Sequence, residues 1–116
     1  MDIVDAIDDV HDADKAIDRF DGIIDTYKAL KKVNAGNGLE VHHIIEKRFS
    51  KSLFVKENDM FSIALDSVDH RMFTNAWRKE LQYGKEYSTD EIWEAAQKIY
   101  ADYPKLLEAA RKTLGK

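Results

Sequence analysis

The stretch from residue 38 to residue 75 constrains the fold most, because two short apolar runs in it are followed by a longer amphipathic one. The runs are Leu39–Ile45, rich in β-branched residues, and Phe61–Leu65. Apolar runs of this length that are bounded by turn residues predict β-strands. A Ser or Asp cap then begins an amphipathic helix that extends to about Gln82. We therefore expect two strands and a helix, in that order, at the centre of the fold.

Three of the four histidines in the chain lie in this stretch. His42 and His43 stand near the end of the first predicted strand, and His70 lies in the first turn of the predicted helix. Imidazole is the commonest protein metal ligand and titrates near neutral pH. Neighbouring side chains on a strand point to opposite faces, but at a strand end, where the backbone turns, both can flank one site. The histidines therefore predict a site that joins a metal to a general base.

Helices are expected on both sides of this centre. An apolar stripe at three- and four-residue spacing predicts a long amphipathic helix over residues 3–27, with Asp on most of its remaining surface. A capping box begins a later helix at Ser88, and Pro104 suits the first turn of the last helix. We expect an α+β fold, mostly helical, with an acidic helical segment at residues 1–35 and one domain at residues 36–116.

Charge is distributed unevenly along the 116 residues, although the net charge is only −4. Residues 1–26 contain nine Asp and two basic residues, whereas residues 27–116 contain thirteen acidic and sixteen basic residues. The part that carries the paired histidines is therefore mildly basic, which permits phosphate binding. The acidic helix either packs on its own domain, connects to a longer polypeptide, or grips a partner.

Composition excludes several kinds of site. Cysteine is absent, so any metal must be bound by His, carboxylate or amide groups. No run approaches the roughly 18 apolar residues that a membrane helix needs. No segment has the layout of a signal peptide. We therefore expect neither a membrane segment nor a signal peptide in this chain.

Residues 38–75 contain the residue types that hydrolysis of a phosphodiester requires. The reaction needs a base that activates water, a cation that balances the developing charge, and contacts that hold the phosphate. His43 would be the base, and His42 and His70 would hold the metal. Arg48 or Arg71 would contact the phosphate.

Two segments carry a resemblance to a known family, residues 38–49, which read GLEVHHIIEKRF, and residues 69–78, which read DHRMFTNAWR. They resemble the His-Me finger (HNH, ββα-metal) nucleases, and most closely the HNH-type toxin domains at the C-terminal ends of bacterial polymorphic toxins. The resemblance covers roughly residues 36–115. It implies a small ββα-metal core wrapped by helices.

The resemblance also implies roles for individual residues. His42 corresponds to the first metal ligand, His43 to the general base and His70 to the metal ligand on the helix. One divalent cation, a DNA or less often an RNA substrate, and a cognate immunity protein are implied. So is an effector that is secreted or delivered and acts in the cytoplasm of a target cell.

The chain departs from the family pattern at several positions. Glu46 stands where proline is frequent, and Thr74 stands where a second helix histidine is frequent. Asn75, one residue further, is a candidate third ligand. With so few protein ligands, water and phosphate oxygens would complete the coordination, which favours Mg²⁺ and leaves Zn²⁺, Ni²⁺ or Mn²⁺ as alternatives. Asn58 or Asn37 is the candidate for the middle asparagine of the motif.

Three arginines are candidate substrate contacts: Arg48, Arg71 and Arg78. Arg48 is also grouped with His43 as a catalytic residue, although each arginine could equally form a solvated ion pair. Two other functions remain open. One is a phage or mobile-element endonuclease with the same chemistry, and the other is a non-catalytic protein-binding module that retains the finger fold.

Overall fold

Three short antiparallel strands position the histidines in the computed structural model, which describes residues 22–116. The strands are β1 (Asp25–Thr26), β2 (Glu40–His43) and β3 (Phe61–Leu65). Their order in the sheet is β1-β3-β2, so β3 is central. Four α-helices surround the sheet in this part of the chain: α1 (Tyr27–Val33), α2 (Ser67–Glu80), α3 (Thr89–Ile99) and α4 (Pro104–Leu114). The α+β class expected from the sequence is confirmed.

The helix ends follow from local signals. The Asp66 carboxylate accepts a hydrogen bond from the Asp69 backbone and caps α2. Ser88 and Glu91 form the expected capping box before α3. Gly115 ends α4 at a positive φ of 69°, a conformation that costs glycine little because it has no Cβ.

The prediction of a helix over residues 3–27 is wrong at Asp25 and Thr26, which form a strand. Residues 3–21 lie outside the described part of the chain. Asp25 and Thr26 are not helical, because they pair with Ser62 and Phe61 of β3. Tyr27 then begins α1, with the Thr26 hydroxyl as its cap. Residues 25–33 therefore pack on the same sheet as the histidines, and the division of the chain at residue 35 stays a prediction.

One hydrophobic core joins the sheet to the helices. Ile63 and Leu65 of β3, Phe73 and Trp77 of α2, and Leu81 are all buried in it, as the apolar spacing predicts. Helix α3 adds Ile92 and Ala96 to this core, its C-cap residue is Tyr100, which is also buried there, and α4 adds Leu106 and Ala110. None of the described helices is long and apolar enough to cross a membrane.

The connection between β2 and β3 contains two turns of 3-10 helix, at Lys47–Phe49 and Glu57–Asp59, with a tight turn at Phe54 between them. The Val55 N–H donates to the Ser50 carbonyl at 3.0 Å, and the Phe54 N–H donates to the Lys51 carbonyl at 3.2 Å. This pair of bonds closes a helical turn around a residue with positive φ, which is usually glycine. Phe54 has a φ of 55°, which costs a residue with a Cβ about 1 kcal/mol.

Candidate active site

The two adjacent histidines occupy opposite faces at the end of β2. His42 pairs with Ile63 and His43 with Ser62 of the central strand. His42 stacks on Phe73 of α2 at 5.4 Å between ring centroids, whereas His43 stacks on Tyr27 of α1 at 4.1 Å. Both rings nevertheless line one cleft of about 430 Å³, together with His70. The structure therefore brings the three predicted histidines together where the strand ends.

A buried hydrogen-bond network determines which ring nitrogen of His42 carries the proton. The Tyr100 hydroxyl donates its only proton to the Ile44 carbonyl at 2.5 Å and accepts from the Trp77 Nε1–H at 3.1 Å. His42 Nε2 lies 2.9 Å from the same hydroxyl, so Nε2–H must be the donor of that bond. The lone pair of His42 is therefore on Nδ1. Burial, with lesser contributions from His70 and His43, lowers the pKa of His42 to about 3, so the ring is neutral at pH 7.

A backbone carbonyl determines which ring nitrogen of His43 carries the proton. His43 Nε2 lies 3.1 Å from the carbonyl oxygen of Glu57, which can only accept a hydrogen bond. Nε2 therefore carries the proton, and the lone pair is on Nδ1. Burial lowers the pKa of His43 below its ordinary value. A neutral imidazole with a free Nδ1 is the form that a general base requires.

His70 is oriented by a carboxylate from the neighbouring strand. Its Nδ1 lies 2.6 Å from Oε1 of Glu40 on β2. The carboxylate accepts, so Nδ1 carries the proton and Nε2 is the nitrogen available to a ligand. A carboxylate in this position fixes the tautomer and the ring orientation of a metal-binding histidine. Glu40 therefore supports His70 in the way that Tyr100 supports His42.

The spacing of His42 and His70 is compatible with a shared divalent cation. Their ring centroids are 5.3 Å apart with planes at 68°, close enough for two imidazoles to share an ion with metal–nitrogen bonds of about 2.1 Å. Each ring has one nitrogen engaged and one with a lone pair. Within residues 22–116 no group of three or more His, Asp or Glu side chains is arranged to hold a metal. Water or substrate oxygens would supply the remaining ligands, as Mg²⁺ accepts.

The third-ligand candidate is not brought to this cleft. Asn75 is exposed on α2, whereas Thr74 lines the cleft. The Thr74 hydroxyl donates to the His70 carbonyl at 2.9 Å, so it holds the helix backbone. Arg71 and Arg78 are exposed and lie outside the cleft lining. Their assignments to substrate binding stay predictions.

Arg48 lines the cleft, but its guanidinium is engaged in the fold. Nε donates to Glu46 at 2.7 Å, Nη2 to the Leu81 carbonyl at 2.5 Å and Nη1 to the Gln82 carbonyl at 3.3 Å. Its Cζ also lies over the Tyr83 ring, 4.5 Å from the ring centroid. These bonds give Arg48 a structural role at the end of α2. Its catalytic and phosphate-binding assignments stay predictions.

Glu46 is the partner of Arg48 and lines the same cleft. Burial raises the pKa of its carboxyl, while the Arg48 guanidinium opposes this shift. Glu46 and Arg48 therefore form an ion pair in the segment that follows β2, and Arg48 links this segment to the end of α2.

Sequence reasoning missed the groups that orient the histidines: the Tyr100 hydroxyl, the Glu40 carboxylate and the Glu57 carbonyl. Tyr100 fits the apolar spacing of its helix, and nothing in that spacing distinguishes a hydroxyl that serves a histidine from one that serves only the core. Glu40 stands two residues before His42, on a strand, and therefore on the same face of the sheet. That spacing was the one available signal.

Comparisons with protein-family models, with curated proteins and with solved structures found no match to this chain.

Proposed function

We propose that this chain is a metal-dependent endonuclease that hydrolyses phosphodiester bonds, with DNA favoured over RNA as its substrate. One observation carries the proposal. The three histidines that line one cleft each have one nitrogen held by a hydrogen bond, and the nitrogens left over match a base and two metal ligands. The resemblance to the His-Me finger nucleases supports the same roles.

In the proposed reaction His43 Nδ1 takes a proton from water as the water oxygen attacks phosphorus. The bond from phosphorus to the leaving oxygen breaks, and that oxygen takes a proton from solvent. The Glu57 carbonyl stabilises the imidazolium that forms, because it accepts the Nε2–H bond throughout. A cation held by His42 and His70 would supply charge stabilisation at the phosphate oxygens. Tyr100 and Glu40 keep those two rings in the required tautomers.

A supercoiled-plasmid assay tests the proposal with wild type and His43→Ala prepared identically. Wild type should nick the plasmid with Mg²⁺ or Mn²⁺, and EDTA should stop the nicking. The cleavage rate of the variant should be at least about a hundredfold lower, because a positioned base contributes that much. Zn²⁺ and Ni²⁺ run in parallel identify the metal preference. Equal nicking by His43→Ala would refute the assignment of the base. RNA is the second substrate if plasmid is left intact.

The biological setting in this proposal is an antibacterial effector with a cognate immunity protein. Expression of the wild-type chain in a bacterial host should slow growth, and His43→Ala should relieve that effect. Growth that is unaffected by an active nuclease would favour a phage or mobile-element enzyme.

A binding module without catalysis remains the second candidate, because the burial of His42 beside Tyr100 also satisfies a purely structural histidine. That function predicts no nicking of DNA or RNA with any of the four cations.

A further inference from the structure

Phe54 is exposed to solvent, and its backbone has a conformation that is unfavourable for a residue with a Cβ. Its side chain is 96% exposed, and it is the only non-glycine residue with positive φ in the described part of the chain. The strained backbone acts against the folded state, and the exposed ring contributes almost no buried area to offset it. Strain of this kind persists where the surrounding structure imposes it, and it clusters at functional sites.

The turn that carries Phe54 lies beside the candidate active site. Lys47 and Arg48 line the histidine cleft, and Arg48 also lines a second cavity of about 590 Å³ with Lys51. Phe54 stands three residues before Glu57, whose carbonyl holds His43. Three residues span at most about 11 Å, so the backbone of Phe54 lies within that distance of the Glu57 backbone, and we infer that the ring can reach a nucleotide next to one bound in the cleft.

The positive charge of the segment around the turn is complementary to the negative charge of a nucleic acid. Residues 47–56 contain four basic residues and no acidic one. A polynucleotide offers phosphates to the cations and base faces to the ring, and stacking on aromatic side chains is a general means of holding unpaired bases. A duplex conceals those base faces, so the exposed ring favours a strand with at least one unpaired base.

We propose that Phe54 stacks on an unpaired base of the strand whose phosphodiester lies in the histidine cleft, while Lys51 and Lys56 contact its phosphates. The inference rests on the proposed endonuclease function and deepens it. It adds an anchor for the base outside the histidine cleft and a preference for single-stranded or locally unpaired substrate.

Three variants at this position separate stacking from backbone effects. Phe54→Gly relieves the strained φ and removes the ring, Phe54→Leu keeps an apolar side chain without an aromatic face, and Phe54→Trp keeps the aromatic face. Each is made in the His43→Ala background, so that binding is measured without cleavage. Val33→Ala is the matched control, because Val33 is also an exposed apolar residue, at 77%, but lies on α1.

Binding is measured by fluorescence anisotropy with labelled single-stranded and duplex oligonucleotides of DNA and RNA. Phe54→Gly and Phe54→Leu should weaken single-strand binding about tenfold, with a smaller loss on duplex. Phe54→Trp and Val33→Ala should bind as the parent does. The thermal midpoint of Phe54→Gly should rise by about 4 °C, because glycine adopts this φ without strain.

The outcomes distinguish this inference from the proposed function. If wild type cleaves and every Phe54 variant binds as the parent does, the stacking inference is wrong and the endonuclease stands. If the His43→Ala parent binds neither DNA nor RNA and wild type cleaves neither, both are wrong. A lower thermal midpoint in Phe54→Gly would mean that the ring packs within the protein, which also overturns the inference.

Discussion

At the scale of single residues, the positions of three protons decide what the histidines can do. His42 and His43 both carry the proton on Nε2, whereas His70 carries it on Nδ1. A neutral imidazole has one donor and one acceptor nitrogen, so each of these hydrogen bonds selects the nitrogen that remains for a ligand or a substrate. The Tyr100 hydroxyl has the largest effect, because it lies fully buried among three polar partners.

Tyr100→Phe should weaken metal binding without removing either predicted ligand. The loss of the hydroxyl leaves His42 free to exchange tautomers, so we expect the dissociation constant for Mn²⁺ or Ni²⁺ to rise about tenfold or more. Isothermal titration calorimetry measures the affinity, and nitrogen-15 NMR of the imidazole reports the tautomer directly. Tyr87→Phe is the control, since the Tyr87 hydroxyl also donates to a backbone carbonyl, that of Gln82. An unchanged affinity in Tyr100→Phe would show that His42 does not bind the metal through Nδ1.

At the scale of elements, Arg48 links the 3-10 turn that follows β2 to the end of α2. The two carbonyls that it binds, those of Leu81 and Gln82, follow the last helical residue of α2. A cation at a helix C-terminus is favourable because the carbonyl groups there are unsatisfied and the helix dipole is negative at that end. The same arginine that the sequence offers for phosphate binding therefore fixes the helix that carries His70.

Arg48→Ala should lower the free energy of unfolding by about 2 kcal/mol, because it breaks charge-assisted bonds and leaves the partly buried Glu46 without its partner. Arg78→Ala is the control, with a change below about 0.5 kcal/mol, because Arg78 is exposed and contacts the Tyr83 ring from the surface. Urea denaturation measures both. A variant Arg48→Ala that keeps wild-type stability and loses plasmid cleavage would instead support the catalytic assignment of Arg48.

At the scale of the whole molecule, stability depends on keeping His42 neutral. The ring is 2% exposed and lies between the sheet, α2 and Tyr100. Its pKa is about 3 when folded and about 6.5 as its ordinary value. Between these two values the unfolded chain binds more protons than the folded one, so the free energy of unfolding increases with pH. Above pH 6.5 this contribution is complete and constant.

The metal-free protein should therefore lose stability as the pH falls from 6.5, by at most about 1.4 kcal/mol per pH unit from His42. Burial acts on His43 in the same direction. Urea denaturation at pH 7, 6 and 5 in EDTA measures the slope. His42→Gln keeps a side-chain amide in place of the ring and does not titrate, so its slope should be shallower. Parallel slopes for the two proteins would contradict the neutral, buried state of His42.

Much of the architecture follows from interactions that are close in the sequence. Asp66 caps α2 and Ser88 caps α3 through bonds to the third residue beyond each cap, so short motifs suffice to place both helix starts. Apolar spacing likewise predicts the burial of Phe73 and Trp77. It does not predict the strand at Asp25–Thr26, because β1 exists only through pairing with β3, and Ile24 and Tyr27 fit a helical stripe equally well.

The sequence by itself determined the order of three elements: a strand that ends in two histidines, a second strand, and a helix that carries a third histidine. Only the tertiary structure decided which nitrogen each ring keeps free. The partners that hold the protons are distant in the chain: Tyr100 is 58 residues from His42, Glu57 is 14 from His43, and Glu40 is 30 from His70. Periodicity and capping report contacts within a few residues, whereas the tautomer of a histidine depends on whichever group the fold places against it.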